Sequence, residues 1–105
     1  MRAEGQAYID RIGAALALVK KSLDWDRALR KLDELEARVQ DPNLWNDPKA
    51  AQATSREHRQ LKDAVETVQE ITAEMGDAVE FVEMGEAEGD DEVVADGLAS
   101  LSALA

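Results

Sequence analysis

Cysteine is absent from the chain, so neither a disulfide nor a thiolate metal site can form, and a reducing compartment suits it. Aromatic side chains are scarce: Tyr8, Trp25, Trp45 and Phe81 make up the whole set. A core must therefore be built from Leu, Val, Ile and Ala, which favours thin helical packing. No apolar run approaches the roughly 20 residues that span a bilayer, and the N-terminus lacks an uninterrupted apolar segment of signal-peptide kind. A soluble, cytoplasmic protein without membrane partners is expected. Proline occurs only at positions 42 and 48.

What is present sets the remaining bounds. A chain of 105 residues forms one domain at most, and a hydrophobic content of 45% excludes a fully disordered tail. The formal net charge of −11 is unevenly distributed. Residues 1–22 hold four basic and two acidic side chains, whereas residues 76–105 hold nine acidic and no basic ones. An end of that sign repels phosphate backbones, so stand-alone nucleic-acid binding is not expected there. It is either a solvated acidic face or a surface for a basic partner.

The two prolines bracket Asn43-Leu44-Trp45-Asn46-Asp47. Pro42 lacks an amide proton and disfavours helical geometry before it, so a preceding helix must stop near Gln40 or Asp41. Pro48 suits the first position of a new helix, with Asp47 accepting from its free amides. Leu44 and Trp45, apolar where a connection is normally polar, are expected to plug the end of the bundle. Pro42, Leu44, Trp45, Asp47 and Pro48 together make a structural corner.

Periodicity draws four helices around it. Within residues 1–22, a helix over about 3–21 aligns Tyr8, Ile12, Ala15, Leu16 and Val19, with Gly13 a weak spot worth ~1 kcal/mol relative to alanine. Within residues 23–41, a helix over 24–40 repeats Trp25, Leu29, Leu32, Leu35 and Val39, with Asp24 as its N-cap. The short joint predicts antiparallel packing of these two. The corner occupies 42–47.

The third helix, over 48–88, is the spine, and at 1.5 Å per residue would be roughly 60 Å long. Thr54, His58, Leu61, Val65, Val68, Thr72, Met75, Val79 and Val82 keep steps of three and four along it. Ala64, Ile71 and Ala78 widen the stripe enough for partners on two sides. Gly76 is the one residue placed to interrupt it, but the stripe stays in phase across that position.

A fourth helix over 90–105 starts at Asp90 or Asp91 and carries Val94, Leu98, Leu101 and Ala105. Its stripe is unfinished at Ala105, as expected of an excised domain, while Gly85, Gly89 and Gly97 predict a loose, frayed C-terminal region. The expected fold class is all-α, an antiparallel helical bundle or long helical hairpin of about four helices in a single domain, the third longest.

No catalytic, cofactor or metal constellation is expected. His58 is the only histidine and falls on the stripe of the third helix, which gives it a partly buried structural role. Asp90 and Asp91 lack the alternating acids and interior glycine of a calcium loop and fit helix capping better. Gly5-Gln6 has no second glycine with which to cradle a phosphate.

The run Asp41-Pro42-Asn43-Leu44-Trp45-Asn46-Asp47-Pro48-Lys49-Ala50-Ala51-Gln52 resembles the N-terminal helical domain of the class-1 bacterial peptide chain release factors. Leu23-Asp24-Trp25-Asp26 and Gly85-Glu86-Ala87-Glu88-Gly89-Asp90-Asp91-Glu92 fit the same pattern, and the tryptophan corner resembles the second type of factor. The resemblance covers roughly residues 8–105 and implies a part in translation termination. It implies the ribosome as partner, at the stalk base of the large subunit, together with a GTPase-type release factor. It also implies that decoding through Ser-Pro-Phe and ester hydrolysis through Gly-Gly-Gln belong to domains after residue 105. Neither motif occurs here, so no catalytic role is carried onto this chain and no enzyme is expected in it.

A function of another class, a self-associating coiled-coil adaptor unrelated to translation, fits the unbroken third stripe taken alone. The width of that stripe and the flanking amphipathic helices, which can satisfy one another within one chain, argue against it.

Overall fold

The structure, a computed structural model, describes residues 1–105 and contains helices and no strand. The elements run α1 (Ala3–Leu23), α2 (Trp25–Gln40), a 3₁₀ turn (Pro42–Asn46), α3 (Pro48–Glu88) and α4 (Asp91–Leu104). The all-α expectation, the four helices and the long third one are thus what forms. No helix is long and apolar enough to cross a membrane. The residues group into two compact units, Met1–Val19 with Gln69–Ala105, and Lys20–Val68.

In the first unit the core is made by Ile12 and Leu16 of α1, Ala78 and Val82 of α3, and Val94, Leu98 and Leu101 of α4. Each fully buried aliphatic side chain, such as Leu101 or Val82, contributes roughly 1.5–3 kcal/mol relative to leaving it in water.

The turn from α3 to α4 follows from sequence chemistry. Gly89 takes φ +67°, Asp90 donates its amide to the Gly85 carbonyl at 2.8 Å, and Gly89 donates to that of Glu86 at 3.3 Å. These paired bonds satisfy the last carbonyls of α3, and glycine has no Cβ to oppose the left-handed conformation. Asp90 then caps α4 by accepting from the Val93 amide at 3.2 Å, as expected.

The expected looseness of this region is not observed. Gly85 and Gly97 lie where the antiparallel α3 and α4 touch: a Cβ on Gly85 would stand 2.9 Å from the Val94 nitrogen. Both glycines mark close helix approach.

In the second unit α2 lies antiparallel to the first half of α3. Ala28 and Leu35 of α2 are buried with Ala51, Val65 and Val68 of α3, flanked by half-buried Leu29, Leu32, Val39 and Leu61. Lys31 Nζ stands 3.9 Å from Glu57 Oε1 across the two helices. At half-exposed positions such pairs add roughly 0–1 kcal/mol, less than the burial of a single core side chain, so apolar burial dominates the packing.

Three expectations about α1 and α2 are corrected. Their packing partners differ: α1 up to Val19 belongs with α4 and the later part of α3, whereas α2 belongs with the earlier part. Asp24 does stand at the N-cap position of α2, its carbonyl accepting from the Ala28 amide at 2.8 Å, but its side chain makes no capping bond. It is the single linking residue, in the left-handed conformation at φ 55° and ψ 72°, a geometry that Asp tolerates better than most residues. On α1, Ala15 and Val19, expected on the apolar stripe, are exposed.

Helix α3 passes Gly76 without a break. Thr72, expected within its apolar stripe, is exposed, and Val79 is half-buried, while Ala78 of the second row is buried. An α-helix advances 3.6 residues per turn, so a track kept at seven-residue steps drifts by roughly 20° per heptad and rotates off its partner.

Candidate interaction site

The corner is held by hydrogen bonds at both ends. Asp41 accepts from the Asn43 amide at 3.0 Å through its side chain, and the Leu44 amide donates to its carbonyl at 3.1 Å. Asp47 ends the 3₁₀ turn by donating to the Leu44 carbonyl at 3.3 Å and caps α3 by accepting from the Ala50 amide at 3.2 Å. Pro42 and Pro48 stand at the first positions of their helices, where their missing amides cost nothing.

The expected plug is corrected. Leu44 is half-buried, but Trp45 is 61% exposed. The five-residue 3₁₀ turn puts successive side chains about 120° apart, so Leu44 turns inward and its neighbour outward. The corner therefore presents an indole on a hydrogen-bonded frame. Trp25, the other tryptophan, is half-buried beneath the Lys20 ammonium, which lies 5.3 Å from the ring centroid.

A groove of about 760 Å³ runs along α2 and α3 in the second unit. Leu23, Ala28 and Leu61 form its apolar part, and Arg27, Arg30 and Lys31 together with Glu34 and Glu57 its charged edge. Lys31 is held between Glu34 at 4.0 Å and Glu57 at 3.9 Å, whereas Arg27 and Arg30 take part in no ion pair. Residues 20–68 hold ten basic and ten acidic side chains, so the net charge of −11 resides wholly in the other unit. Sequence inspection did not single out this groove, because its cations are spread among acids along α2. The i, i+3 and i+4 spacing of Arg27, Arg30 and Lys31 was the available signal.

His58 sits on α3 facing Glu36 at 3.8 Å, beyond hydrogen-bond length, and its buried Nε2 has no hydrogen-bond partner. No group of three or more His, Cys, Asp or Glu side chains could hold a metal ion. The groove is lined by neither Ser, Thr, Cys nor His.

Comparison with known proteins gives a consistent result. The profile of the PCRF domain matches residues 28–104. The chain is 44% identical over 104 residues to peptide chain release factor 2 of Ruegeria sp. (strain TM1040), covering 99% of this chain and 28% of that protein. It is 45% identical over 104 residues to the protein of the same name from Roseobacter denitrificans, again covering 99% and 28%. Peptide chain release factor 2 of Caulobacter vibrioides (strain NA1000 / CB15N) is 52% identical over 81 residues, covering 77% of this chain and 22% of that protein. The chain thus spans little more than a quarter of the length of these relatives.

Proposed function

The chain belongs to the PCRF domain family, and from that premise we propose that it is the helical positioning module of a peptide chain release factor of the second type, acting in translation termination in the cytoplasm. The carrying observation is the match over residues 28–104, combined with an all-helical fold. On this reading the Gly-Gly-Gln and Ser-Pro-Phe chemistry of the family is not carried by these 105 residues.

The mechanism is positional. Packed helices hold surface side chains in fixed geometry, so part of the entropy of docking is already met before the ribosome is encountered. On this reading the ribosome is the partner, with the stalk base of the large subunit and a GTPase-type release factor as the contacts. The exposed, hydrogen-bonded corner at Trp45 and the unpaired Arg27 and Arg30 support a contact role, because indole and guanidinium groups dominate the energetics of protein interfaces. The 105-residue chain added alone to termination complexes should liberate no peptide.

Deleting the matching segment from the Ruegeria factor tests the proposal. Ribosome affinity and the rate of stop-codon-dependent release at limiting factor should both fall, with the rate at saturation less affected. Unchanged affinity and rate after deletion would refute the positioning role.

A further inference from the structure

The unit formed by Met1–Val19 and Gln69–Ala105 contains thirteen acidic side chains against two basic ones, and neither base lies on α3 or α4. Along those two helices runs a groove of about 720 Å³. Phe81, Ala103 and Leu104 form its apolar part, and Glu74 and Asp77, one helical turn apart, stand at its edge. Phe81 is 38% exposed, and Met84 on the next turn is 46% exposed, so large apolar surface lies open beside carboxylates that have no cationic partner.

Each property narrows the occupant. The charge repels RNA phosphates, anionic lipid surfaces and acidic peptides, which leaves a cationic partner. An apolar floor between two helices is filled by side chains projecting at three- and four-residue steps, as a third helix supplies. The carboxylates along the edge then meet lysines or arginines flanking that apolar stripe.

We propose that the groove bounded by Glu74, Asp77, Phe81 and Leu104 docks a basic amphipathic helix of a protein partner. This names the chemistry of a contact for the positioning role and rests on that reading for its biological setting. Its test uses the chain alone and needs no ribosome.

The probe is a fluorescently labelled, designed Leu/Lys amphipathic helix titrated with the 105-residue chain at physiological salt and followed by anisotropy. Three controls accompany it: the same composition scrambled to abolish the apolar face, a Leu/Glu helix, and a uridine oligonucleotide. The Leu/Lys helix should bind saturably, at least about tenfold more tightly than any control.

Phe81→Ser and the double variant Glu74→Lys/Asp77→Lys should each weaken binding by about tenfold or more. Glu80→Lys/Glu83→Lys makes the same charge change on exposed residues outside the groove and should weaken it by less than about threefold. Circular dichroism verifies the fold of each variant, and should Phe81→Ser unfold, the charge-reversed pair decides.

Equal binding of the scrambled peptide, or equal loss in the Glu80/Glu83 variant, would reduce the effect to diffuse attraction and overturn the proposal. Absence of binding, or preference for the oligonucleotide, would overturn it too. A negative result here with deletion still weakening ribosome binding removes the groove alone. A positive result with deletion having no effect removes the termination role alone.

Discussion

Gly97 of α4 lies directly against Val82 of α3. A Cβ at position 97 would run into the Val82 side chain while standing 3.2 Å from its nitrogen and 3.3 Å from the Ala78 carbonyl oxygen. Two of these three obstacles are backbone, which cannot rotate away, so Gly97→Ala should destabilise the protein by roughly 1–3 kcal/mol through overpacking. Gly76, also within α3, faces open space, with nothing within 4 Å of where a Cβ would stand. Gly76→Ala should therefore stabilise by ~0.5–1 kcal/mol from helix propensity. Thermal and urea melts of the two variants should move in opposite directions.

Asp47 anchors both the end of the 3₁₀ turn and the start of α3. Asp47→Ala removes the side-chain bond to the Ala50 amide and should cost ~1 kcal/mol, with Asp47→Asn or Asp47→Ser recovering most of it. Urea denaturation of the three variants measures the difference.

Asp24 links α1 to α2 in left-handed geometry without a side-chain cap. Asp24→Gly should therefore cause no loss of stability, whereas Asp24→Val should lose roughly 1–2 kcal/mol because a β-branched side chain resists positive φ. Were the aspartate acting as a side-chain cap, glycine would also be destabilising.

Trp45 is exposed, so Trp45→Ala should change stability by less than ~0.5 kcal/mol, as surface substitutions generally do. In a Trp25→Phe background its fluorescence should be red-shifted and readily quenched by acrylamide. A blue-shifted, protected emission would return the indole to the packed role.

The buried Nε2 of His58 has no hydrogen-bond partner, although the residue lies on the apolar stripe between Thr54 and Leu61. His58→Leu replaces an unsatisfied polar atom with apolar surface and should stabilise by ~1 kcal/mol, read as a shift in the urea midpoint.

Much of the architecture was legible because it rests on local rules. The two prolines, the Asp47 and Asp90 caps and the three- and four-residue steps each act within a turn or two of helix, so the ends of α2, α3 and α4 could be placed from residue chemistry. What escaped depends on partners distant in sequence. Gly85 and Gly97 look like helix breakers when taken alone, and only the approach of α3 to α4 shows that they are contact points. Leu44 and Trp45 are both apolar and adjacent, and only the 3₁₀ geometry separates the inward residue from the outward one. Asp24 has the right side chain for a cap, yet α1 continues to Leu23 and leaves it as the sole link. Both grooves lie between helices, where no single helical pattern reveals them.

The central claim is that these helices position a release factor on the ribosome, and a chimera tests it most directly. Residues 1–105 would replace the matching segment of the Ruegeria factor, with which they share 44% identity. Ribosome affinity and the rate of stop-codon-dependent release at limiting factor would then be compared with the parent and with the factor lacking the segment. The account predicts that the chimera restores most of what deletion removes. A folded chimera that behaves like the deletion, or a deletion that loses nothing, would contradict it.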